Sequence, residues 1–406
     1  MIEVKQPNFD LMHTVNSGID KRKYRNVKSD DKSKYKGNSE KLVLNHAKYN
    51  IQKPLTEILK APSYENIFKQ LIVLNKIFIK KIFSKERKDV DFLPGERVPT
   101  DKVRRVLIVS TWRSGSTFLG DIFNSYPAAF YSFEPLHMKY RNKHLQKGED
   151  IAEALSFIKD IFTCNITFHH EYMKYLREYQ YVLVHNKFMW NSCYANRAYC
   201  FDPNFMSQIC QLTPLNVMKT VRLGLLPVDK LLSDKTLNLK VIHLVRDPRG
   251  SLHSRIKLPW CKSKICRDPK TVCDSLYTDL KLSDSFLKKY PERFQVIRYE
   301  DLSLNPRNVS EKILQFAGLH FHRGTENFLK EHTELDDSKR NHKKIGAYTT
   351  FRDSQKTPFH WRESFSFPQT NYIQKMCKKA LDVLGFRVFR SPSDYMNKNI
   401  SILMNS

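Results

Sequence analysis

The chain has 406 residues, 41% hydrophobic and 12% aromatic, which is enough apolar surface for a buried core in one large α/β domain or a few smaller ones. Lysine and arginine outnumber aspartate and glutamate 69 to 42, a net charge of +27 spread along the whole length, which fits a polyanionic partner or a Lys-rich surface that serves solubility alone. No zinc-finger, homeodomain or RNA-binding aromatic pattern is present and no C-x-x-C pair occurs, so nucleic acid is the weakest reading of the charge and zinc is not expected.

In chain order, residues 1–53 are rich in Lys, Asn and Ser and read as disordered or loosely ordered. Pro54–Phe83 places Leu55, Ile58, Leu59, Ile67, Leu71, Leu74 and Phe78 at helical spacing. This predicts an amphipathic helix on the following domain, in preference to a basic surface-binding helix. Within it, Ile67–Phe83 is broken by Lys69, Lys76, Lys80 and Lys81, and no uninterrupted apolar run of ~18 residues exists. Lys85–Lys102, with Pro94-Gly95 and Pro99, reads as a linker. The organisation expected is a basic N-terminal region (1–102), a catalytic domain (103–390) and a C-terminal tail (391–406).

The domain opens with a buried strand at Val106–Val109, a polar turn, and Phe118, Leu119, Ile122 and Phe123 at helical spacing. Strands are expected at Ala129–Phe133, Tyr181–Asn186, Leu239–Val245 and Phe294–Arg298. Helices are expected at Ile151–Thr163, Glu171–Tyr179, Pro203–Gln211, Thr271–Lys288, Val309–Ala317 (ending at Gly318) and Gln369–Leu384 (ending at Gly385). This alternation predicts an α/β fold with a mainly parallel central sheet flanked by helices. Ligands then bind beyond the carboxyl ends of the strands.

The turn after the first strand, Ser110-Thr111-Trp112-Arg113-Ser114-Gly115-Ser116-Thr117, is built to hold an anion. The first N–H groups of the following helix have no internal partner, and the helix dipole favours negative charge there. Ser114, Ser116 and Thr117 add hydroxyl donors, and Arg113 adds a permanent forked cation. The nucleotide loop G-x-x-x-x-G-K-[ST] does not match: there is one Gly, no Gly-Lys pair, and the Arg precedes the Gly. A purely structural polar turn is the bland alternative, and partner motifs downstream decide between them.

Five segments together resemble the Golgi carbohydrate sulfotransferases that 6-O-sulfate N-acetylglucosamine, galactose or N-acetylgalactosamine. TWRSGSTFLGDIFN resembles that family's 5′-phosphosulfate loop, FYSFEPLH (Phe130–His137) its FYLFEP segment, and VIHLVRDPRGSLHSR (Val241–Arg255) its 3′-phosphate motif. VIRYEDLSLNP (Val296–Pro306) resembles its R-Y-E-D-L element and FHWRESF (Phe359–Phe365) its C-terminal W-R segment. The resemblance covers roughly Val103 to Phe386. It also makes NVMKTVRL (Asn216–Leu223) a strand.

The resemblance implies a P-loop-like sulfotransferase fold and transfer of a sulfuryl group from 3′-phosphoadenosine 5′-phosphosulfate (PAPS) to a sugar hydroxyl, with no metal. In-line attack of this kind needs positioning and charge neutralisation above all. Arg113, Ser114, Gly115, Ser116 and Thr117 are expected to hold the 5′-phosphosulfate, with Arg113 also stabilising charge on the bridging oxygen. Arg246 and Ser254 are expected on the 3′-phosphate, with Arg249 and Arg255 as weaker candidates. Glu134 is the expected general base, provided its surroundings raise its pKa; the alternative is a Glu that orients its loop. His137 is the understudy. Lys219 and Arg222 touch donor or acceptor, or are plain strand-end charges. Trp361 and Arg362 close over the adenine or a phosphate. Tyr299-Glu300-Asp301 serves the fold.

The partner implied is a glycan acceptor, with N-acetylglucosamine favoured by the TWRSGS form, and no nucleic acid. A catalytically inactive relative that binds anionic glycans is the alternative, opposed by the intact motifs. The family sits in the Golgi behind an N-terminal membrane helix, so the resemblance implies a Golgi location and an anchor that this sequence does not contain. Of eight cysteines, Cys193, Cys200 and Cys210 lie close together, as do Cys261, Cys266 and Cys273, while Cys164 and Cys377 stand apart. They suit disulfides of an oxidising compartment, or ordinary buried thiols, with connectivity open. Asn165, Asn308 and Asn399 begin glycosylation triplets.

Overall fold

Five short apolar runs form one fully parallel sheet in the order β2-β3-β1-β4-β5: β1 (Arg104–Ser110), β2 (Ala129–Phe133), β3 (Leu215–Thr220), β4 (Leu239–Val245) and β5 (Phe294–Arg298). The computed structural model describes residues 64–84, 96–194, 196–333 and 354–404. The expectations for residues 1–63 and for the linker at 85–95 lie outside the described residues. β1 and β3 are buried almost end to end, as expected of strands covered on both faces by helices. From β1 the chain runs outward to β2, returns to β3, then crosses to β4 on the other side of β1. The strand order therefore reverses beside β1, the place where parallel α/β sheets receive ligands.

The largest core surrounds the sheet. A second core joins β4 to the helices Pro269–Lys289 and Phe367–Leu384 and to the chain end through Phe386, Phe389, Tyr395 and Ile402. The segment expected as a tail is thus packed: Tyr395 and Ile402 are buried, and Phe386 bridges to Leu403. The helix Tyr64–Ser84 lies on the domain through Leu71, Asn75 and Ile79. Phe68 meets Tyr199 and Phe205 edge-on, and Ser192 donates to Asn75 Oδ1 at 2.8 Å.

The helix ends follow their caps. Asp268 accepts from Thr271 N–H, so that helix starts at Pro269; Ser366 and Gln369 form a capping box, so the last long helix starts at Phe367. One strand expectation fails. Residues 181–186 do not extend the sheet; Gln180–Val184 is a helix whose Val182 and Leu183 are buried. An apolar run this short fits either period, and packing decides it. The third strand stops at Thr220, where Val221–Gly224 turns off to pair with Leu145.

All eight cysteines are oxidised: Cys164–Cys210, Cys193–Cys200, Cys261–Cys266 and Cys273–Cys377. The last ties the two helices of the second core together across 104 residues. Among the described residues no helix is long and apolar enough to cross a membrane.

Candidate active site

The expected site residues up to Ser254 gather along the carboxyl edge of the sheet because each follows a strand: Glu134 after β2, Lys219 and Arg222 at the end of β3, Arg113 after β1, and Arg246 and Ser254 after β4. Residues 134 and 246 are far apart in sequence, and the register of three strand pairs brings them to one edge.

The loop after β1 spans Thr111–Gly115. Gly115 has φ 88°, and a Cβ there would meet the Tyr299 ring at 2.2 Å, so only glycine lets the loop lie this close to Tyr299. Arg113 also has positive φ, at 63°. The helix Ser116–Asn124 follows without a side-chain cap among the described residues, so its first N–H groups face the loop. Thr111 and Ser114 share a hydroxyl hydrogen bond of 3.0 Å.

The loop after β1 and the residues after β4 meet. Arg113 Nε donates to Ser254 Oγ at 2.9 Å, and Arg246 Nη1 donates to the Arg113 carbonyl at 2.8 Å. The Arg246 guanidinium lies 4.6 Å above the Tyr299 ring, and its buried Nε has no hydrogen-bond partner among the described residues. An unpaired guanidinium N–H in an electropositive corner fits a phosphate oxygen. Arg255 is fully buried and holds the loop from behind. It donates to the Trp112 carbonyl at 2.8 Å and to Thr111 Oγ1 at 2.9 Å. Burial, with Arg246 and Arg113 nearby, pulls its pKa down to about 9. Arg249, by contrast, is inside the second core, paired with Asp247 at 2.8 Å and donating to the Arg387 carbonyl; it serves the fold.

Glu134 is buried, in left-handed backbone geometry with φ 50°. Lys219 Nζ donates to its Oε1 at 2.7 Å and Arg222 Nη1 donates to Oε2, with Val221 N–H on the same oxygen at 3.4 Å. Burial pushes the carboxyl pKa up, but Lys219 and Arg222 outweigh it and hold it below the usual carboxylate range. The expectation of a raised pKa is therefore corrected: this is a carboxylate held ionised. Lys219 and Arg222 are correspondingly not open strand-end charges. Both are buried around Glu134, and Arg222 also donates to the Arg141 carbonyl at 3.1 and 3.2 Å. His137 shares a 2.5 Å hydrogen bond with the Tyr175 hydroxyl. Burial, and next Arg222, lower its pKa to about 3, which keeps it a neutral and weak base.

Trp361 and Arg362 are buried and held by the fold itself, which corrects their expected role of closing over a ligand. Trp361 is buried beneath the Arg249 guanidinium at 4.3 Å. Arg362 donates to the carbonyls of Tyr395, Ile400, Asp394 and Asn397, clamping the chain end. Sequence reasoning missed Tyr299 as a wall of the loop after β1, and it missed Asp279 and His144. Gln146 Nε2 and Leu225 N–H donate to Asp279 Oδ1 at 2.8 and 3.1 Å, and His144 Nε2 lies 3.8 Å from Oδ2. His144 Nδ1 bonds the Val221 carbonyl at 3.1 Å, one peptide along from the Val221 N–H that faces Glu134. No spacing in the sequence links these residues.

A glycine-bearing loop after β1, a cationic motif after β4 and a buried carboxylate after β2 thus lie along one edge of the sheet. Residues 103–385 match the model of the sulfotransferase domain family, and the chain belongs to that family. It is similar to carbohydrate sulfotransferase 1 of Danio rerio, 27% identical over 350 residues, covering 73% of this chain and 81% of that protein. It is also similar to carbohydrate sulfotransferase 5 of Mus musculus, 28% identical over 357 residues, 76% and 86% of the two chains. Among solved structures, the sulfotransferase domain of the Synechococcus PCC 7002 olefin synthase aligns over 71% of this chain and 96% of that one. Its TM-score is 0.38 and its identity 19%.

Proposed function

We propose that this sulfotransferase moves a sulfuryl group from PAPS to the 6-hydroxyl of a sugar in a glycan, N-acetylglucosamine before galactose or N-acetylgalactosamine, in the Golgi lumen. The observation that carries the reading is the contact between Arg113 and Ser254, which joins two cationic motifs into one donor site. The names of the similar proteins support a sugar acceptor.

PAPS, when bound, supplies the sulfuryl group and leaves as the 3′,5′-bisphosphate. Arg246 and Ser254 would hold its 3′-phosphate. The N–H groups at the start of the helix Ser116–Asn124, with Ser114, Ser116 and Thr117, would hold the 5′-phosphosulfate. The orphaned Arg246 Nε and the side-chain-free backbone at Gly115 fit such a group. Arg113 neutralises charge that develops on the leaving oxygen.

Glu134 accepts the hydrogen bond of the incoming hydroxyl and takes its proton as the new S–O bond forms. Its depressed pKa makes it a modest base that is ionised at neutral pH. Lys219 and Arg222 fix its orientation. The four disulfides suit an oxidising lumen.

The test offers labelled PAPS and glycans ending in each of the three sugars, with the sulfated carbon located by NMR. Label at C6 of N-acetylglucosamine is expected. Label at another carbon, or on no sugar, contradicts the proposal.

A further inference from the structure

The corner that holds Arg246 contains a carboxyl group with no part in the chemistry described so far. β4 and β5 pair in register, with Val245 opposite Arg298. Arg246 and Asp247 follow one member of that pair. Tyr299 and Glu300, which open the helix Tyr299–Leu304, follow the other. The Tyr299 ring lies under the Arg246 guanidinium and against Gly115, and Glu300 Oε1 accepts the Asp247 N–H at 3.1 Å. Glu300 is fully buried. Its second oxygen, Oε2, has no hydrogen-bond partner among the described residues, and neither has Arg246 Nε.

A buried carboxylate beside an arginine with a spare N–H gains most by pairing with it. Glu300 and Arg246 share no ion pair among the described residues, and the neighbouring charges are taken up elsewhere. The Asp247 carboxylate is held by Arg249 at 2.8 Å, and Arg298 and Asp301, which flank Glu300 in sequence, pair with each other at 2.6 Å. Asp247 and Arg246 are the charged groups that bear on Glu300; Arg113 and Arg255 lie beyond Arg246. Burial, and next Asp247, outweigh Arg246 and raise the Glu300 pKa to about 8. At neutral pH this carboxyl therefore carries a proton, and Arg246 keeps its charge for an incoming anion. Once ionised, it would repel that anion and compete with it for the guanidinium.

We propose that Glu300 is a positioning residue of the donor site: as a neutral acid it leaves Arg246 free for a nucleotide phosphate, so that nucleotide binding takes up a proton at this carboxyl and weakens as pH rises. The proposal rests on the reading of this corner as a phosphate site and names the group that sets its pH dependence.

The test follows 3′,5′-adenosine bisphosphate binding to the full chain by calorimetry at pH 7, 8 and 9. At pH 8 it is repeated in buffers of different ionisation enthalpy, which counts the protons exchanged. The phosphates of the ligand are already ionised there. A one-unit rise of the carboxyl pKa on binding gives an uptake of roughly 0.4 proton at pH 8 and a loss of roughly fivefold in affinity from pH 7 to pH 9. Arg255, with its pKa of about 9, adds only roughly 0.1 proton at pH 8 for the same shift, and adds it with or without Glu300. Glu300→Gln keeps the acceptor for Asp247 N–H and cannot ionise. It should lose most of the uptake and most of the pH dependence. Binding by the wild type without uptake at pH 8, or uptake that persists in Glu300→Gln, overturns the inference and leaves the donor site standing. A variant that binds more weakly at every pH with its slope intact overturns it too, because that is the mark of a purely structural residue. Absence of bisphosphate binding by the wild type at every pH is a different failure: it overturns the donor site itself, and this inference with it.

Discussion

Arg113 and Ser254, 141 residues apart, share a 2.9 Å hydrogen bond that joins the loop after β1 to the helix after β4. Arg246 closes the same corner by donating to the Arg113 carbonyl. Three cationic side chains, Arg113, Arg246 and Arg255, lie close together, and burial first, then its two cationic neighbours, draw the Arg255 pKa down to about 9. Convergence of like charges is tolerable where a multiply charged anion is to be bound.

Gly115→Ala should disable the loop. The new Cβ would overlap the Tyr299 ring at 2.2 Å and would sit on a left-handed backbone. Left-handed geometry alone costs about 1–2 kcal/mol for other residues, and overpacking adds about 1–3 more. The midpoint of denaturant unfolding should fall accordingly, and binding of 3′,5′-adenosine bisphosphate should be lost. An unchanged midpoint would mean that Tyr299 moves freely out of the way.

Lys219→Met should leave Glu134 buried with one cation instead of two. Breaking a buried pair costs about 3–5 kcal/mol. Because the folded pKa of Glu134 is depressed, its stabilisation is present above the ~4.3 of an unfolded glutamate and is lost as pH falls through the folded value. In the variant that folded value rises, so the acid limb of the pH–activity profile should move to higher pH. A profile that keeps its acid limb in place would separate Glu134 from the rate.

Glu300 behaves in the opposite sense. It is fully buried, its Oε1 accepts Asp247 N–H at 3.1 Å, and burial beside Asp247 raises its pKa to about 8. Its contribution is complete below the unfolded value of ~4.3 and is lost as pH rises towards about 8. Glu300→Gln keeps the acceptor for Asp247 N–H and cannot ionise. It should flatten the fall of Tm between pH 5 and pH 8 and leave the variant the more stable protein at the upper end. Parallel Tm curves for the two proteins would contradict this.

The disulfides should not be equal. Cys273–Cys377 closes 104 residues, whereas Cys193–Cys200 closes 7. By loop-closure entropy the longer bridge constrains the unfolded chain more, by roughly 2 kcal/mol. Replacing Cys273 and Cys377 by serine should lower Tm more than replacing Cys193 and Cys200, as read by calorimetry.

The parallel α/β architecture was legible because β1, β2, β4 and β5 are short, mostly apolar segments bounded by turns, and because the polar turn at Thr111–Gly115 sits between a strand and a helix. What the sequence did not disclose is side-chain direction. Trp361 and Arg362 carry residue types suited to a base and a phosphate, yet the second core takes the indole and the chain-end carbonyls take the guanidinium. Lys219 and Arg222 read as donor or acceptor contacts or as plain strand-end charges because their carboxylate partner lies about 85 residues upstream, just after another strand. The strand expected at 181–186 was lost to the ambiguity of a short apolar run. The cysteine pairing, the Tyr299 contact and the His144–Asp279 pair depend on long-range packing that no local spacing records.

The most direct measurement is transfer of labelled sulfuryl from PAPS to an N-acetylglucosamine-terminated glycan by wild type, Arg246→Ala and Glu134→Gln, with 3′,5′-adenosine bisphosphate affinity measured on each. The account predicts transfer by the wild type alone. Arg246→Ala should lose roughly 10- to 100-fold in nucleotide affinity, as expected for a charge-assisted contact, while Glu134→Gln binds the nucleotide as the wild type does. Transfer undiminished in Glu134→Gln, or nucleotide affinity undiminished in Arg246→Ala, would contradict it.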